Sequence, residues 1–485
     1  MPLFENSAHF SIHGGTFNDL QINDKLNWLW HQSVAHGALY NSKERFDPPK
    51  CHPETRLAVL DKIEKWTVDR SASSTIMWLS GPVGAGKSAI AQTVCERSGS
   101  ADKLAAAFFF SRTTSDRNTD KTLVATIASQ LRTSIPEARL HIDKVVENDV
   151  SIFSKSIATQ FDLLIKNPLS EAASCAHNIS TGSRDLVVID GLDECKDNEL
   201  QYAMILAIAL ILKQKTRLRF LIFSRSESRI RDAFNREEVQ KITRQLVLDQ
   251  SFNPEADIER FLKYSLDEIH LEHPLGRSFP GLWSISDVVR MIVQKCSGQF
   301  IYAATVIKFI GSRRHHPIER LNAVLRSIPT STATQWENPF AELDALYIQI
   351  LQSVSDPRHT LFILGALLFL DHSYCRTSAI GGKNYAFMED FLSLSEGNIY
   401  LSLVDLQSLL YIPDPDSRQA GILFLHTSFS EFLQNSLRSG PYFIDETTAQ
   451  DSLALGCLKY LTKAEIHTER LSNTTSGMSN CCNWC

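Results

Sequence analysis

The chain has 485 residues, with 49 Lys and Arg against 55 Asp and Glu, a net charge of −6. That length suits about three domains, and the charge gives no electrostatic case for nucleic acid or an acidic membrane as the main partner. No apolar run reaches membrane-spanning length, since Ala203 to Leu212 and Leu361 to Leu370 suit buried helices, and Met1-Pro2-Leu3-Phe4-Glu5 lacks the basic and apolar regions of a secretory signal. The ten cysteines are scattered through expected core elements, which points to free thiols in a reducing, cytoplasmic compartment.

In chain order, Phe10 to Phe17 alternates apolar and polar residues around Gly14-Gly15, as in a hairpin or β-arch. An edge hairpin or an unstructured arm explains residues 1–24 more simply than a signalling segment that assembles by strand pairing. Leu26, Leu29, Trp30, Val34 and Ala38 then repeat at helical spacing, and Pro53-Glu54 opens a helix with Val59, Ile63 and Trp66 on one face.

The apolar run Ile76 to Ser80 predicts a buried strand. Behind it, Gly81-Pro82-Val83-Gly84-Ala85-Gly86-Lys87-Ser88 matches the phosphate-binding P-loop at every fixed position, and Ala89 to Val94 continues as a helix. The glycines let backbone N–H groups curl around a β-phosphate while the helix N-terminus supplies partial positive charge. Lys87 would reach the β- and γ-phosphates, and the Ser88 hydroxyl would hold Mg²⁺. Ala105 to Phe110 predicts a further strand, Thr122 to Ile135 and Ile157 to Ile165 helices, and Asn167 to Arg184 a polar surface loop.

A second apolar strand, from Leu186, ends in Asp190-Gly191-Leu192-Asp193-Glu194. Asp190 is placed to hold Mg²⁺, and Asp193 or Glu194 to orient or deprotonate an attacking water. A third strand, Arg219 to Phe223, delivers Arg225 to the same edge, where a permanently charged planar fork suits a γ-phosphate. Arg217, Arg219, Arg229 and Arg231 read as ordinary surface residues, and Ile242 to Leu248 as the last strand.

Helices follow. Asn253 stands as an N-cap with Pro254 at the first helical position, ahead of Ile258, Phe261, Leu262 and Leu266 on one face. Ser286 to Cys296 ends at Gly298, and Phe300 to Ile310 is apolar nearly all round. The pair His315-His316 reads as a solvated basic turn. From about 340 to 440 the order is three helices, two short strands flanking Pro413-Asp414-Pro415-Asp416, and a helix at Ser428, which suits a winged helix. The net charge and the lack of a basic recognition helix argue against DNA reading. Cys481 to Cys485 holds one C-x-x-C with no second ligand pair, as in a frayed tail.

The acidic run Asp190 to Glu194 and Phe223-Ser224-Arg225-Ser226-Glu227 resemble the second motif and sensor strand of NACHT-type NTPases. Gly37 to Ser42, Pro49 to Arg56, Lys295 to Ala304 and His426-Thr427-Ser428-Phe429 are similar to segments of fungal NACHT proteins of the STAND, NLR-like class, so the resemblance covers roughly residues 25 to 440. It implies an N-terminal arm (1–24), a helical lead-in (25–70), an α/β P-loop NTPase domain of parallel strands flanked by helices (71–250), an all-α helical domain (251–335), a winged-helix domain (336–440) and a C-terminal tail (441–485). It implies Arg56 as a contact near base and ribose and His426 as a contact to the ADP phosphate. The activity implied is that of a signalling or self-recognition switch, closed with ADP and open with ATP and Mg²⁺, with slow hydrolysis as its reset. GTP remains open as the nucleotide. Implied partners are further copies of the chain or longer NLR-like proteins. Two other readings stay open: a turnover P-loop ATPase, and a truncated decoy that binds nucleotide and a longer partner, since no ligand-sensing repeats follow the winged helix.

Overall fold

The computed structural model describes residues 26–45, 48–69, 73–175, 184–213, 217–276, 286–326, 340–370, 383–417 and 420–471, the last with side chains to 458. The hairpin expected at Phe10 to Phe17 and the run Cys481 to Cys485 lie outside the described residues.

Five strands, β1 (Ile76–Ser80), β2 (Leu104–Phe109), β3 (Leu186–Asp190), β4 (Arg219–Ser224) and β5 (Thr243–Val247), form one parallel sheet in the order β2-β3-β4-β1-β5. Every residue of β1, β3 and β4 is buried, which is why these strands read as continuous apolar runs. Successive residues still face opposite ways. Ile76, Trp78, Phe108, Val187, Ile189, Phe220 and Ile222 enter one core, where helices Leu123–Ser134 and Asn198–Leu212 pack. Met77, Leu79, Phe109, Val188, Leu221 and Phe223 enter the other, against helices Leu57–Val68 and Lys87–Ser100.

The registers bring the three motif-bearing strands to a level end. Ser80 pairs with Ser224, Ile189 with Ile222, and Gly191 N–H donates to Phe223 O at 3.1 Å. The P-loop, the acidic run and Arg225 therefore leave the sheet along one edge, at the carboxyl ends of parallel strands where α/β folds place ligands.

Several expectations need correction. Residues 167–175, expected in a surface loop, form the helix Asn167–Cys175. It continues from Ile157–Gln160 through a π-helical turn, Phe161–Lys166, and Asn167 N–H reaches Asp162 O. The widened turn sits just before Pro168, which has no N–H to offer an ordinary ladder. The tail expected from 441 carries the helix Glu446–Leu471. The helix expected to open at Pro53-Glu54 begins at Leu57, after Arg56 in the left-handed region. Asn253 does stand before the helix Pro254–Glu272, but it too is left-handed and makes no side-chain cap. Arg219 is buried, donating to the carbonyls of Trp66 and Asp69. His315 is half-buried near Asp405 rather than fully solvated.

After β5 the described chain is mainly helical. Helices Ser286–Cys296, Phe300–Ile310, Pro317–Arg326, Ala341–Gln352 and Pro357–Phe369 are followed by an antiparallel pair, β6 (Leu410–Tyr411) and β7 (Leu423–Phe424), and the helix Thr427–Leu433. One apolar core runs from Ile258 to Ile444 through all of these helices. No helix among the described residues is long and apolar enough to cross a membrane, and Cys51, Cys95, Cys195, Cys296 and Cys457 are free thiols.

Candidate functional site

The P-loop is shaped by two left-handed glycines, Gly84 (φ +72°) and Gly86 (φ +88°), the latter capping helix Lys87–Ser100. This conformation suits glycine, and the first residues of the helix, whose N–H groups have no intrahelical partner, line the cleft. Lys87 Nζ donates to Gly81 O and Pro82 O, both at 2.9 Å, so its ammonium is held over the loop. Burial lowers its pKa, opposed by the charge of Asp193.

One cleft is bordered by Val83, Gly84, Gly86, Lys87, Ser88, Ala89, Arg56, Asp190, Asp193, Glu194, Arg225 and His426. Three other expected residues serve it from behind: Gly81 and Pro82 through their carbonyls to Lys87, and Ala85 through its carbonyl, which accepts from Arg56 Nη2 at 2.8 Å. Arg56 is itself fixed, since its N–H donates to Asp257 Oδ2 at 3.0 Å and its guanidinium lies 4.6 Å from the Phe300 ring centroid.

Asp190 and Ser88 meet at the metal position expected for them. Burial pushes the Asp190 carboxyl up to about 6 against the pull of its hydrogen bond with Ser88. Its Oδ1 is buried and has no hydrogen-bond partner. An orphaned carboxylate oxygen beside a hydroxyl fits a hard cation such as Mg²⁺, which favours oxygen ligands and keeps several waters. Among the described residues no group of three His, Cys, Asp or Glu side chains is placed to hold a metal ion, so an ion held by Ser88 and Asp190 would complete its shell with water and phosphate.

The geometry separates the two acidic candidates. Both Asp193 oxygens are engaged by Arg225, Oδ1 by its N–H at 2.9 Å and Oδ2 by its Nε at 3.0 Å. Glu194 accepts the Arg112 N–H at 3.1 Å through Oε2. Burial first, and then the charge of Asp193, push the Glu194 carboxyl up to about 8.

His426 enters from the far side of the cleft. Its Nδ1 accepts the Ser428 N–H at 3.0 Å and lies 2.7 Å from Ser428 Oγ, capping helix Thr427–Leu433. That bond leaves the ring proton on Nε2 in the neutral form. Burial, with Arg225 and Lys87 nearby, holds the ring pKa down at about 3. Tyr347 OH, 2.7 Å from Ser428 Oγ, ties this cap to the helical core.

Sequence reasoning missed two charged groups at the site. Glu431, on the same helix as the His426 cap, has Oε1 2.6 Å from Arg225 Nη2 and 3.5 Å from Arg112 Nη1. Arg112 also donates through Nη2 to Asp193 O at 2.8 Å. It missed the far wall as well, where His52, Phe261, Phe300 and Ile301 border the cleft. No local pattern marks Glu431 or Arg112, whereas His52, Phe300 and Ile301 fall in the segments Pro49 to Arg56 and Lys295 to Ala304, whose resemblance pointed to the site without naming them.

A five-stranded parallel sheet flanked by helices, with a glycine-rich phosphate loop after β1 and an acidic run after β3, defines a P-loop NTPase-like α/β protein. In agreement, the family model for "Nephrocystin 3, N-terminal" matches residues 55–225, a span that holds the P-loop, the acidic run and Arg225. No curated protein matches the chain. Among solved structures, Drosophila ORC bound to poly(dA/dT) DNA and Cdc6 aligns at 12% identity and a TM-score of 0.27, covering 95% of this chain and 78% of that one. Drosophila ORC bound to DNA aligns at 13% identity with a TM-score of 0.27, over 95% and 78% of the two chains.

Proposed function

We propose that the chain is a nucleotide-operated switch of the NACHT, STAND type, holding ADP in the arrangement described here and exchanging it for ATP with Mg²⁺. The observation that carries this reading is that one cleft is built from both halves of the molecule, with Lys87, Asp190, Glu194 and Arg225 on the sheet side and His426 on the helical side. Charged and hydrogen-bonding groups from two structural units at one phosphate position suit a molecule whose units can part. Only differential contact with the two nucleotide states can shift a conformational equilibrium.

In this reading the P-loop amides and Lys87 hold the β-phosphate, and Ser88 and Asp190 would hold Mg²⁺, which when bound would supply charge neutralisation at the phosphates. The Nε2–H of neutral His426 donates to the ADP phosphate. Glu194, which borders the same cleft and is not engaged by Arg225 as Asp193 is, takes a proton from water during slow hydrolysis. Arg56, Phe261 and Phe300 surround base and ribose. The region from 340 to 440 serves as the winged-helix latch, and output passes through self-association or a longer NLR-like partner in a cytoplasmic signalling response.

The test is to extract and identify the nucleotide that copurifies with the protein, alongside Lys87→Ala. ADP is expected in the wild type and none in the variant. Ligand at a hundredfold over its dissociation constant stabilises a fold by about 2.7 kcal/mol, so added ADP should raise the melting temperature of the wild type alone. Equal nucleotide retention by Lys87→Ala would overturn the assignment.

A further inference from the structure

Arg225 leaves the end of β4 and enters a cage of opposite charge. Its Nε and N–H engage Asp193 at 3.0 and 2.9 Å, and its Nη2 meets Glu431 Oε1 at 2.6 Å. The Glu431 and Arg225 side chains are only 18% and 21% exposed. Arg112 joins them from the loop after β2, 3.5 Å from Glu431 and bonded to Asp193 O. Asp193 belongs to the sheet unit, as Arg225 does, but Glu431 comes from the helical unit and is the only carboxylate that unit contributes to the cage among the described residues. Two guanidinium groups thus bind one partner's oxygen, as they would bind a phosphate oxygen.

We propose that Glu431 is a γ-phosphate surrogate: in this arrangement its carboxylate takes the Arg225 contact that the γ-phosphate of ATP would take, so that ADP fits beside it and ATP must expel it. This rests on the nucleotide-switch reading and names the residue that makes the closed arrangement selective. A fixed negative charge on the sensor arginine leaves ADP untouched. It opposes ATP twice, by occupying the guanidinium and by repelling the incoming γ-phosphate in a poorly screened site. ATP binding and release of helix Thr427–Leu433 are then one competition, and Glu431 acts through Arg225 as a positioning residue.

The experiment compares the affinity of full-length protein for ADP and for a non-hydrolysable ATP analogue, in wild type, Glu431→Gln and Glu431→Asp. Glutamine keeps the volume and removes the charge, so it should tighten the ATP analogue about tenfold while changing ADP affinity less than twofold. Aspartate shortens the arm and should shift the ratio in the same direction by less; it carries the test if the glutamine variant does not fold. A structural residue would lower both affinities together, and that result, or an unchanged ratio, overturns the surrogate. Failure of wild type to bind either nucleotide is a separate outcome that sinks the switch reading itself.

Discussion

His426 has the environment of a histidine that must stay neutral. Its Nδ1 is spent on the Ser428 N–H, and Arg225 and Lys87 lie close enough to disfavour a second proton. Burial and those cations hold the folded pKa at about 3, against 6.5 for a free side chain. Above pH 6.5 neither folded nor unfolded chain carries a proton on this ring. Between 6.5 and 3 the unfolded chain takes one up and the fold refuses it, so stability falls as pH falls, by at most about 1.4 kcal/mol per unit for a single group. His426→Asn keeps a cap acceptor and removes the titration. Denaturant midpoints should therefore fall more steeply for wild type than for His426→Asn between pH 6.5 and 5, and parallel curves would mean the ring titrates normally. The residue was visible from its His-Thr-Ser-Phe setting; the cap that fixes its tautomer was not, because a backbone N–H two residues on has no signature of its own.

At the scale of elements, what could be read in advance follows from what creates the signal. Ile76–Ser80, Ser286–Cys296 and Phe300–Ile310 lie where expected, because a fully buried strand or a helix with a wide apolar face leaves its period in the sequence. The helical run through Asn167 did not, since the stretch from Asn167 to Arg184 reads as polar, and a π-turn precedes the Pro168 that would interrupt an ordinary ladder. The P-loop motif was legible residue by residue, but its outer contact was not: Ile301 N–H donates to Gly84 O at 3.3 Å, and a Cβ built on Gly84 would lie 2.2 Å from Ile301 Cγ2. Gly84 thus meets two demands, a φ of +72° and room for the helical unit. Gly84→Ala carries the left-handed penalty of roughly 1–2 kcal/mol and also a clash with a branched side chain that has little freedom to swing aside. Nucleotide titration should show a loss of affinity of tenfold or more. Affinity within twofold of wild type would mean that the loop and Ile301 are not packed in the binding-competent state.

The whole molecule has its apolar cores on two sides of the cleft. Those on the two sheet faces belong to one α/β unit, and the third runs from Ile258 to Ile444. Hydrogen bonds and ion pairs cross between the units, Arg56 to Asp257, Ile301 to Gly84, Lys383 Nζ to Thr113 O at 2.9 Å, and Arg225 and Arg112 to Glu431, with ring contacts of His52 and Arg56 to Phe261 and Phe300 beside them. Separate apolar cores joined by such contacts need not unfold as one cooperative body. Calorimetry of nucleotide-free protein should then resolve two transitions. A ligand gripped from both sides stabilises both units, whereas one that expels the helical unit stabilises only the sheet unit. At a hundredfold excess over the dissociation constant the gain is about 2.7 kcal/mol, roughly 5 to 10 °C for units of 150 to 250 residues. ADP should therefore raise the lower transition by that order and draw it toward the upper one, whereas a non-hydrolysable ATP analogue should leave the helical unit's transition at its nucleotide-free temperature. If the analogue raises the helical unit's transition as ADP does, ATP does not part the units, and the molecule binds nucleotide without switching.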